Sequence, residues 1–188
     1  MIKLFHTCAV AIDKLNKGIG TSVSYLTVVM ALVMFAIVLL RYGFNVGSIA
    51  LQESITYLHA MVFLLGASFT FQHDRHVRVD IFYRDYSPRK KSILNLMGAL
   101  LFMLPVSVYI SVACWDYVMQ SWSLLEGSRE PGGLPLVYAL KSFLLIFSLS
   151  LMLQAISEIT KHSIDVFITR KTPDLLENER VSNRQRSQ

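Results

Sequence analysis

The chain has 188 residues, of which 53% are apolar by a broad count and only 16% are charged. A soluble domain is usually about 25% charged, so this composition excludes an ordinary soluble enzyme or nucleic-acid-binding domain. The net charge is +5, and because most basic residues flank long apolar runs, it indicates membrane orientation instead of an acidic binding partner.

The apolar residues cluster into four runs that are long enough to cross a bilayer. An α-helix needs about 20 apolar residues to span the roughly 30 Å hydrocarbon core. The predicted spans cover residues 21–40, 49–71, 92–117 and 135–156. The sequence therefore predicts an all-α membrane protein whose four transmembrane helices form a membrane domain over residues 21–159.

Two flanking segments lie outside this membrane domain. In residues 1–20, Phe5, Ala9, Ile12 and Leu15 recur at helical spacing among polar side chains. This pattern predicts a short amphipathic N-terminal helix on the inner membrane surface. Residues 160–188 are hydrophilic and predict a polar cytoplasmic tail, with disorder in its last dozen residues.

The distribution of basic residues predicts the orientation. If both termini lie inside, fifteen of the 18 Lys and Arg fall on the inner side, and the outer side holds only Arg41, Arg129 and Lys141. Positive loops stay in the cytoplasm, so both termini are predicted to be cytoplasmic. The loop over residues 72–91 supplies six of the fifteen, and its Arg75, His76 and Arg78 are predicted to set topology and contact lipid headgroups.

No motif in the chain points to catalysis. There is no phosphate-binding glycine-rich loop and no nucleophile elbow. Only His59 lies well inside a predicted span, whereas a haem held by two helices needs histidines at matching depth. The sequence thus predicts a protein that is not an enzyme and has no catalytic residue, cofactor site or metal site.

Two charged residues fall within the predicted spans. Glu53 lies in the first turns of the second span, and Lys141 lies about two turns into the fourth. Charges inside spans are unfavourable unless they pair, line a cavity or face a partner. We expect Glu53 and Lys141 to make polar contacts within the bundle or to another subunit, whereas Arg41 and Asp116 read as interface residues with snorkelling side chains.

Several short patterns follow one another in an order known from one transporter family. They are Leu51-Gln52-Glu53, Phe63 to Ala67, Arg75-His76-Val77-Arg78-Val79-Asp80, Ser87-Pro88-Arg89, Ser121-Trp122 with Glu126 and Ser128, and Gly133-Leu134-Pro135. On these residues the region 31–159 resembles the small membrane subunit of tripartite ATP-independent periplasmic (TRAP) transporters. The chain departs from the family at Gln52, where many members have a second acidic residue, and at Thr56, where many have Arg.

The resemblance implies a place in a sodium-coupled, binding-protein-dependent secondary transporter of the bacterial inner membrane. The family's large multispan transport subunit holds the substrate and sodium sites and moves elevator-fashion, while a periplasmic binding protein delivers the substrate. The four-helix small subunit extends the fixed scaffold and helps dock the binding protein. Lys141, together with Gln154, resembles a branch linked to oxo acids and similar organic acids.

The loop over residues 119–134 is the largest predicted element on the outer side. Glu126, Arg129 and Glu130 offer charges of both signs there, and complementary charges guide protein association. We expect this loop to contribute to docking of the binding protein.

Two other functions stay open from the residues alone. The first is a self-contained, proton-coupled small carrier acting as a homodimer, with Glu53 as the proton-exchanging carboxylate. Glu53 lies near an interface and not at the midplane, where carrier sites usually lie. The second is a membrane enzyme or electron-transfer subunit, which the scarcity of histidines within the spans disfavours.

Overall fold

The computed structural model describes residues 2–73, 83 and 86–186, and within these residues every regular element is a helix. In chain order the helices are α1 (Ile2–Ser24), α2 (Leu26–Gly43), α3 (Ile49–Ala60), α4 (Gly66–Gln72), α5 (Pro88–Gly98), α6 (Leu104–Ser123) and α7 (Val137–Arg186). A π-helical turn, Met61–Leu65, joins α3 to α4, and a second one, Ala99–Met103, joins α5 to α6.

Four helical segments are long and apolar enough to cross a membrane, and each overlaps one predicted span. They are Thr7–Gly43, Ile49–Gln72, Pro88–Ser123 and Val137–Val166. The predicted all-α, four-span architecture is therefore confirmed. The cytoplasmic location of the termini and the domain boundaries at residues 20 and 159 stay predictions. Following the predicted orientation, we call the end of the bundle with the 124–136 loop the outer end, and the opposite end the inner end.

Helix α7 is the central helix of the bundle. In the most apolar stretch of its span 22% of the residues are buried, against 6% in each of the first two spans. Serine side chains make its closest contacts: Ser150 accepts a hydrogen bond from Ser68 of α4 at 2.8 Å, and Ser148 accepts one from Ser111 of α6 at 2.8 Å. Small polar residues let membrane helices approach closely and bond across the contact.

The first span differs from the expectation of a separate surface helix. Helix α1 runs to Ser24, and only Tyr25 separates it from α2. Side-chain hydroxyl groups explain the interruption of the helix at Tyr25. The Ser24 hydroxyl donates to the Thr21 carbonyl at 2.7 Å, and the Thr27 hydroxyl donates to the Ser24 carbonyl. Such side-chain bonds compete with the helical backbone bonds and bend helices.

The face of α1 that contacts the bundle overlaps only in part with the apolar face that the sequence suggested, which included Ala9 and Leu15. Ala9, Asn16 and Val23 are buried, whereas Leu15 is 52% exposed. Gly20 lies directly against Phe69 of α4, where a larger side chain would clash. Asn16 faces inward because helix α7 offers it hydrogen-bond partners and hydrocarbon does not.

The ends of two spans also differ from the prediction. Residues 119–123 belong to α6, so the outer loop begins only at Leu124. At the other end of the chain α7 continues through the polar tail to Arg186, where the sequence suggested disorder. Leu, Glu and Arg dominate residues 175–186 and are good helix formers.

The π-helical turn in the third span has a cause in the sequence. A proline lacks an N–H, and its ring clashes with the carbonyl four residues before it. Pro105 would meet the carbonyl of Leu101 in this way. The wider turn accommodates the ring, and the N–H of Leu104 bonds instead to the carbonyl of Ala99, five residues back.

Candidate functional site

A cluster of polar side chains joins three spans to the outer loop, and its core is Glu53, Ser121, Glu126, Ser128 and Lys141, which we call the outer polar cluster. Glu53 enters from the first turns of α3, where Ser48 caps the helix by accepting from the N–H of Leu51 at 3.4 Å. The hydroxyl of Ser128 donates to Glu53 Oε1, and the backbone N–H of Leu134 donates to Oε2 at 2.6 Å. A single carboxylate thus holds both ends of the 128–134 turn.

Gly133 makes room for this carboxylate. A Cβ at this position would lie 2.7 Å from Glu53 Oε1 and closer still to Ser128. The turn itself is closed by backbone bonds from Ser128 N–H to the Leu134 carbonyl and from Gly133 N–H to the Glu130 carbonyl, both 3.0 Å long. The glycine of the Gly-Leu-Pro pattern therefore has a steric reason.

The second half of the cluster is an ion pair. Lys141 of α7 donates to Glu126 Oε2, which also accepts from the Ser121 hydroxyl of α6 at 2.7 Å. The Lys141 ammonium lies 3.9 Å from the centroid of the Tyr117 ring, a cation–π arrangement. The hydrogen bond from Lys141, followed by that from Ser121, holds the pKa of Glu126 below its ordinary value.

The side chain of Trp122 holds the start of the loop against α7. The indole N–H of Trp122 donates to the Ser142 hydroxyl at 2.7 Å, and the Trp122 and Tyr138 rings meet edge to face at 4.7 Å. Leu125 adopts a left-handed backbone with a φ of 45°, which is unfavourable for a residue other than glycine. The neighbouring bonds hold this turn in place.

The structure divides the sequence-predicted outer residues into two groups. Glu53, Glu126 and Lys141 lie within the cluster and bond to other parts of this chain. Arg129 and Glu130 are exposed at the tip of the loop. Beside them Leu124 and Leu125 are 70% and 65% exposed. The geometry therefore separates residues that hold the loop from residues that a partner could reach.

A second polar group at the inner end was not predicted as a site, and we call Asp13, Asn16, Gln154, Ser157, Glu158 and Lys161 the inner polar network. Gln154, which is fully buried, accepts from the Asn16 amide at 2.7 Å and donates to Asp13 at 3.2 Å and to Glu158 at 2.9 Å. Lys161 pairs with Asp13 at 3.1 Å and with Glu158 at 2.6 Å.

Polar residues at helical spacing were the available signal for this network. Asp13 and Asn16 are three apart, and Gln154, Ser157 and Lys161 are spaced by three and four, so each set shares one helix face. The sequence alone did not show that the two faces meet.

The remaining predicted site residues, Arg75, His76 and Arg78, lie outside the described residues, so their proposed contacts with lipid headgroups stay a prediction. Within the part of the chain that the structure describes, no three His, Cys, Asp or Glu side chains come together in a way that could hold a metal ion.

Taken together, the described contacts define a four-span membrane bundle whose polar groups bind one another and hold a loop in place. The hydrogen-bonded carboxylates and amines of both groups bind neighbouring parts of the same chain. Residues 30–163 match the family described as tripartite ATP-independent periplasmic transporters, DctQ component. This match covers more than half of the chain, so the chain belongs to that family.

Two relatives agree with this assignment. A Haemophilus influenzae protein described as a TRAP transporter small permease protein is 26% identical over 108 residues, which are 57% of this chain and 62% of the relative. The C4-dicarboxylate TRAP transporter small permease protein DctQ of Vibrio cholerae is 30% identical over 88 residues, or 47% of this chain and 38% of the relative. The matched region thus spans less than two thirds of either relative, and no solved structure matches significantly.

Family and fold together confirm three of the sequence predictions. The chain is a small TRAP permease component, it belongs to a family of transport components and not of enzymes, and its four apolar helices make it a multi-pass protein of the bacterial inner membrane.

Proposed function

We propose that this chain is the non-catalytic small subunit of a sodium-coupled secondary transporter that imports organic acids with a periplasmic binding protein. In this proposal it extends the fixed scaffold of a large multispan transport subunit and helps dock the binding protein. Membership of the family supports the assembly, and the C4-dicarboxylate named for the Vibrio cholerae relative supports an organic acid as the substrate.

The observation that carries the docking role is the braced outer loop. Glu53 and Lys141 come from different spans, and each bonds to the 124–136 loop. They leave Arg129 and Glu130 exposed on a backbone that is already ordered. A partner that binds an ordered loop loses less conformational entropy than one that must order it.

The scaffold role is supported by the outward faces of the bundle. Helix α2 has no buried residue, and its Leu32 and Phe35 are each 63% exposed. Such an apolar face suits hydrocarbon or the helices of a partner equally well, so the first span offers surface for a large subunit.

Charge reversal at the loop tip tests the docking role. Replacing Arg129→Glu and Glu130→Lys together should weaken association with the binding protein, and the remaining binding should depend less on salt. Arg41→Glu, which reverses an exposed charge outside this loop, is the matched control. Unchanged uptake kinetics over a range of binding-protein concentrations would refute the docking role.

Reconstitution separates this proposal from a self-contained carrier. Vesicles that hold this chain alone should not take up substrate, and vesicles that also hold a large multispan partner and receive a binding protein should do so when sodium is present. Uptake by the chain alone would rule out the scaffold function. In the same assay Glu53→Gln, Lys141→Met and the double variant should lower complex yield, and full yield and transport in all three would show that these contacts are dispensable.

A further inference from the structure

A cavity of about 780 Å³ opens between the second, third and fourth spans in the inner half of the bundle. This volume is within the range of about 300–1,000 Å³ that small-molecule sites occupy. Its wall includes Gln72, Tyr83, Asn95, Phe102, Leu151 and His162. None of these residues takes part in the outer polar cluster or in the proposed docking.

The cavity has the depth of one membrane leaflet. Leu151 and His162 both line it and are eleven residues apart on α7, which corresponds to about 16 Å along the helix axis. One leaflet contributes about 15 Å to the hydrocarbon core. A transmembrane helix of a partner would run the full depth of the bilayer, whereas a lipid chain ends near the midplane.

The two ends of the cavity differ in polarity. Phe102, Met103, Val106 and Leu151 form its deep end, and Gln72, Tyr83, Asn95 and His162 form its end toward the inner surface. A single molecule that fills such a space needs a polar head and an apolar chain.

Two acceptor atoms at the polar end have no hydrogen-bond donor. Gln72 Oε1 and His162 Nδ1 are buried and have no hydrogen-bond partner. A buried polar atom without a partner is unfavourable, so it commonly marks a place where a missing group binds. Glu158 also lines this end, but its carboxylate is already bonded to Lys161 at 2.6 Å, and the other ring nitrogen of His162 lies 3.3 Å from it. A positively charged headgroup with N–H donors would bond to both unpaired acceptors more strongly than an uncharged headgroup would.

A positive charge lies beside the same end. The Lys91 ammonium is 5.3 Å from the centroid of the Tyr83 ring, and Tyr83 accepts a hydrogen bond from the Asn95 amide at 2.9 Å. Lys91 is therefore placed where a phosphate group at the membrane surface would meet it.

We propose that this cavity binds one phospholipid with a primary-ammonium headgroup. Its ammonium group lies near Gln72 and His162, its phosphate lies toward Lys91, and one acyl chain follows Phe102 and Leu151 to the midplane. Small rotations of the Gln72 amide and the His162 ring bring their unpaired atoms to the headgroup. The site belongs to this chain alone and does not depend on the proposed role in docking.

Filling the cavity tests the site. Gly98 is a helical residue that lines the cavity, and a Cβ added to it would meet nothing within 4 Å. Gly98→Leu therefore places a side chain in the open space of the cavity. Gly18→Leu is the matched control, because Gly18 is an exposed helical glycine with the same free space. The full chain is purified in mild detergent, and retention of added phosphatidylethanolamine is measured by native mass spectrometry. Gly98→Leu should retain about tenfold less than the wild type and than Gly18→Leu.

The headgroup preference is tested with two further lipids and one further variant. Phosphatidylcholine has a positive charge but no N–H donor, and it should be retained about tenfold less than phosphatidylethanolamine. Phosphatidylglycerol offers only uncharged hydroxyl donors, which bond to the two acceptors more weakly than an ammonium does, and it should also bind less. Gln72→Met keeps the size of the side chain and removes its acceptor, so it should reduce the preference for phosphatidylethanolamine over phosphatidylcholine.

Three outcomes would overturn the proposal. Equal retention of the three lipids, or equal retention by Gly98→Leu and Gly18→Leu, would mean that the lipids bind only around the outside of the bundle. A Gly98→Leu variant that keeps its lipid but no longer co-purifies with a large membrane subunit would mean that the cavity holds part of that protein.

Discussion

The two polar regions of the bundle both contain ion pairs, since Lys161 pairs with Asp13 and Glu158 in the inner polar network, but their centres use different chemistry. The outer polar cluster is made of charged side chains that stay partly accessible, with exposed fractions of 29% for Glu126 and 14% for Lys141. The inner polar network is centred on uncharged amides that are sealed off, with exposed fractions of 2% for Asn16 and 0% for Gln154. The outer cluster fastens a loop to helices, and the inner network fastens one helix, α1, to another, α7.

This difference predicts which region matters more for stability. Ion pairs that water can reach are weak because water and salt screen them. A buried amide that loses its partner has no water to replace it, and hydrogen bonds between membrane helices contribute about 0.6–1.7 kcal/mol each. We therefore expect the inner network to stabilise the fold and the outer cluster to control the local order of the loop.

The largest expected effect is at Gln154. Gln154→Leu removes three hydrogen bonds and leaves the buried Asn16 amide without its partner. The free energy of unfolding should fall by about 2–4 kcal/mol, measured as a lower thermal midpoint in mild detergent. Gln52→Leu, an exposed glutamine in the second span, is the control. Equal midpoints for the two variants would show that the network contributes nothing.

The next effect concerns the packing of α1. Gly20→Leu forces a side chain into Phe69, and overpacking of this kind typically destabilises by about 1–3 kcal/mol. Gly18→Leu, two residues away on the same helix, has free space around it. The thermal midpoint should fall for Gly20→Leu alone, and a similar fall in both variants would indicate a general intolerance of α1 to bulky residues.

A local effect is expected at the outer cluster. Glu53→Leu removes the acceptor that holds Ser128 and Leu134, so the loop should open more often while the thermal midpoint changes little. Arg129 is the only basic residue between Leu124 and Leu136, and trypsin cleavage after it, followed by mass spectrometry, reports the opening. Cleavage should become several-fold faster than in Gln52→Leu. If the rates are the same, Glu53 does not brace the loop.

The smallest expected effect is a change in the outer loop with pH. The pKa of Glu126 is lowered in the folded chain by the bond from Lys141, so the ion pair stabilises the loop fully above the ordinary value of 4.5 and loses this contribution as the pH falls through the lower folded value. Trp122 fluorescence, in a Trp115→Phe background, should change in this range below pH 4.5. The change should disappear in Glu126→Gln, and its persistence there would assign it to another group.

The sequence predicted much of the fold because hydrocarbon imposes a simple rule on each span. Helices must satisfy their own backbone bonds in lipid, so apolar length alone located all four helices. It also singled out Glu53 and Lys141, because a charge inside an apolar span is unfavourable unless it pairs, lines a cavity or faces a partner. It did not predict that Glu126 bonds to Lys141, because that contact joins a loop to a helix fifteen residues away.

The sequence by itself determined the number of membrane helices, the predicted orientation and the family pattern, since these depend on local composition and order along the chain. Only the tertiary structure decided which polar residues meet. Asp13 and Asn16 lie about 140 residues from Gln154 and Ser157, and their pairing depends on how α1 and α7 pack. The same packing decides that the outer loop is braced and that a cavity one leaflet deep remains between three spans, because gaps between helices are a property of their assembly and not of any one helix.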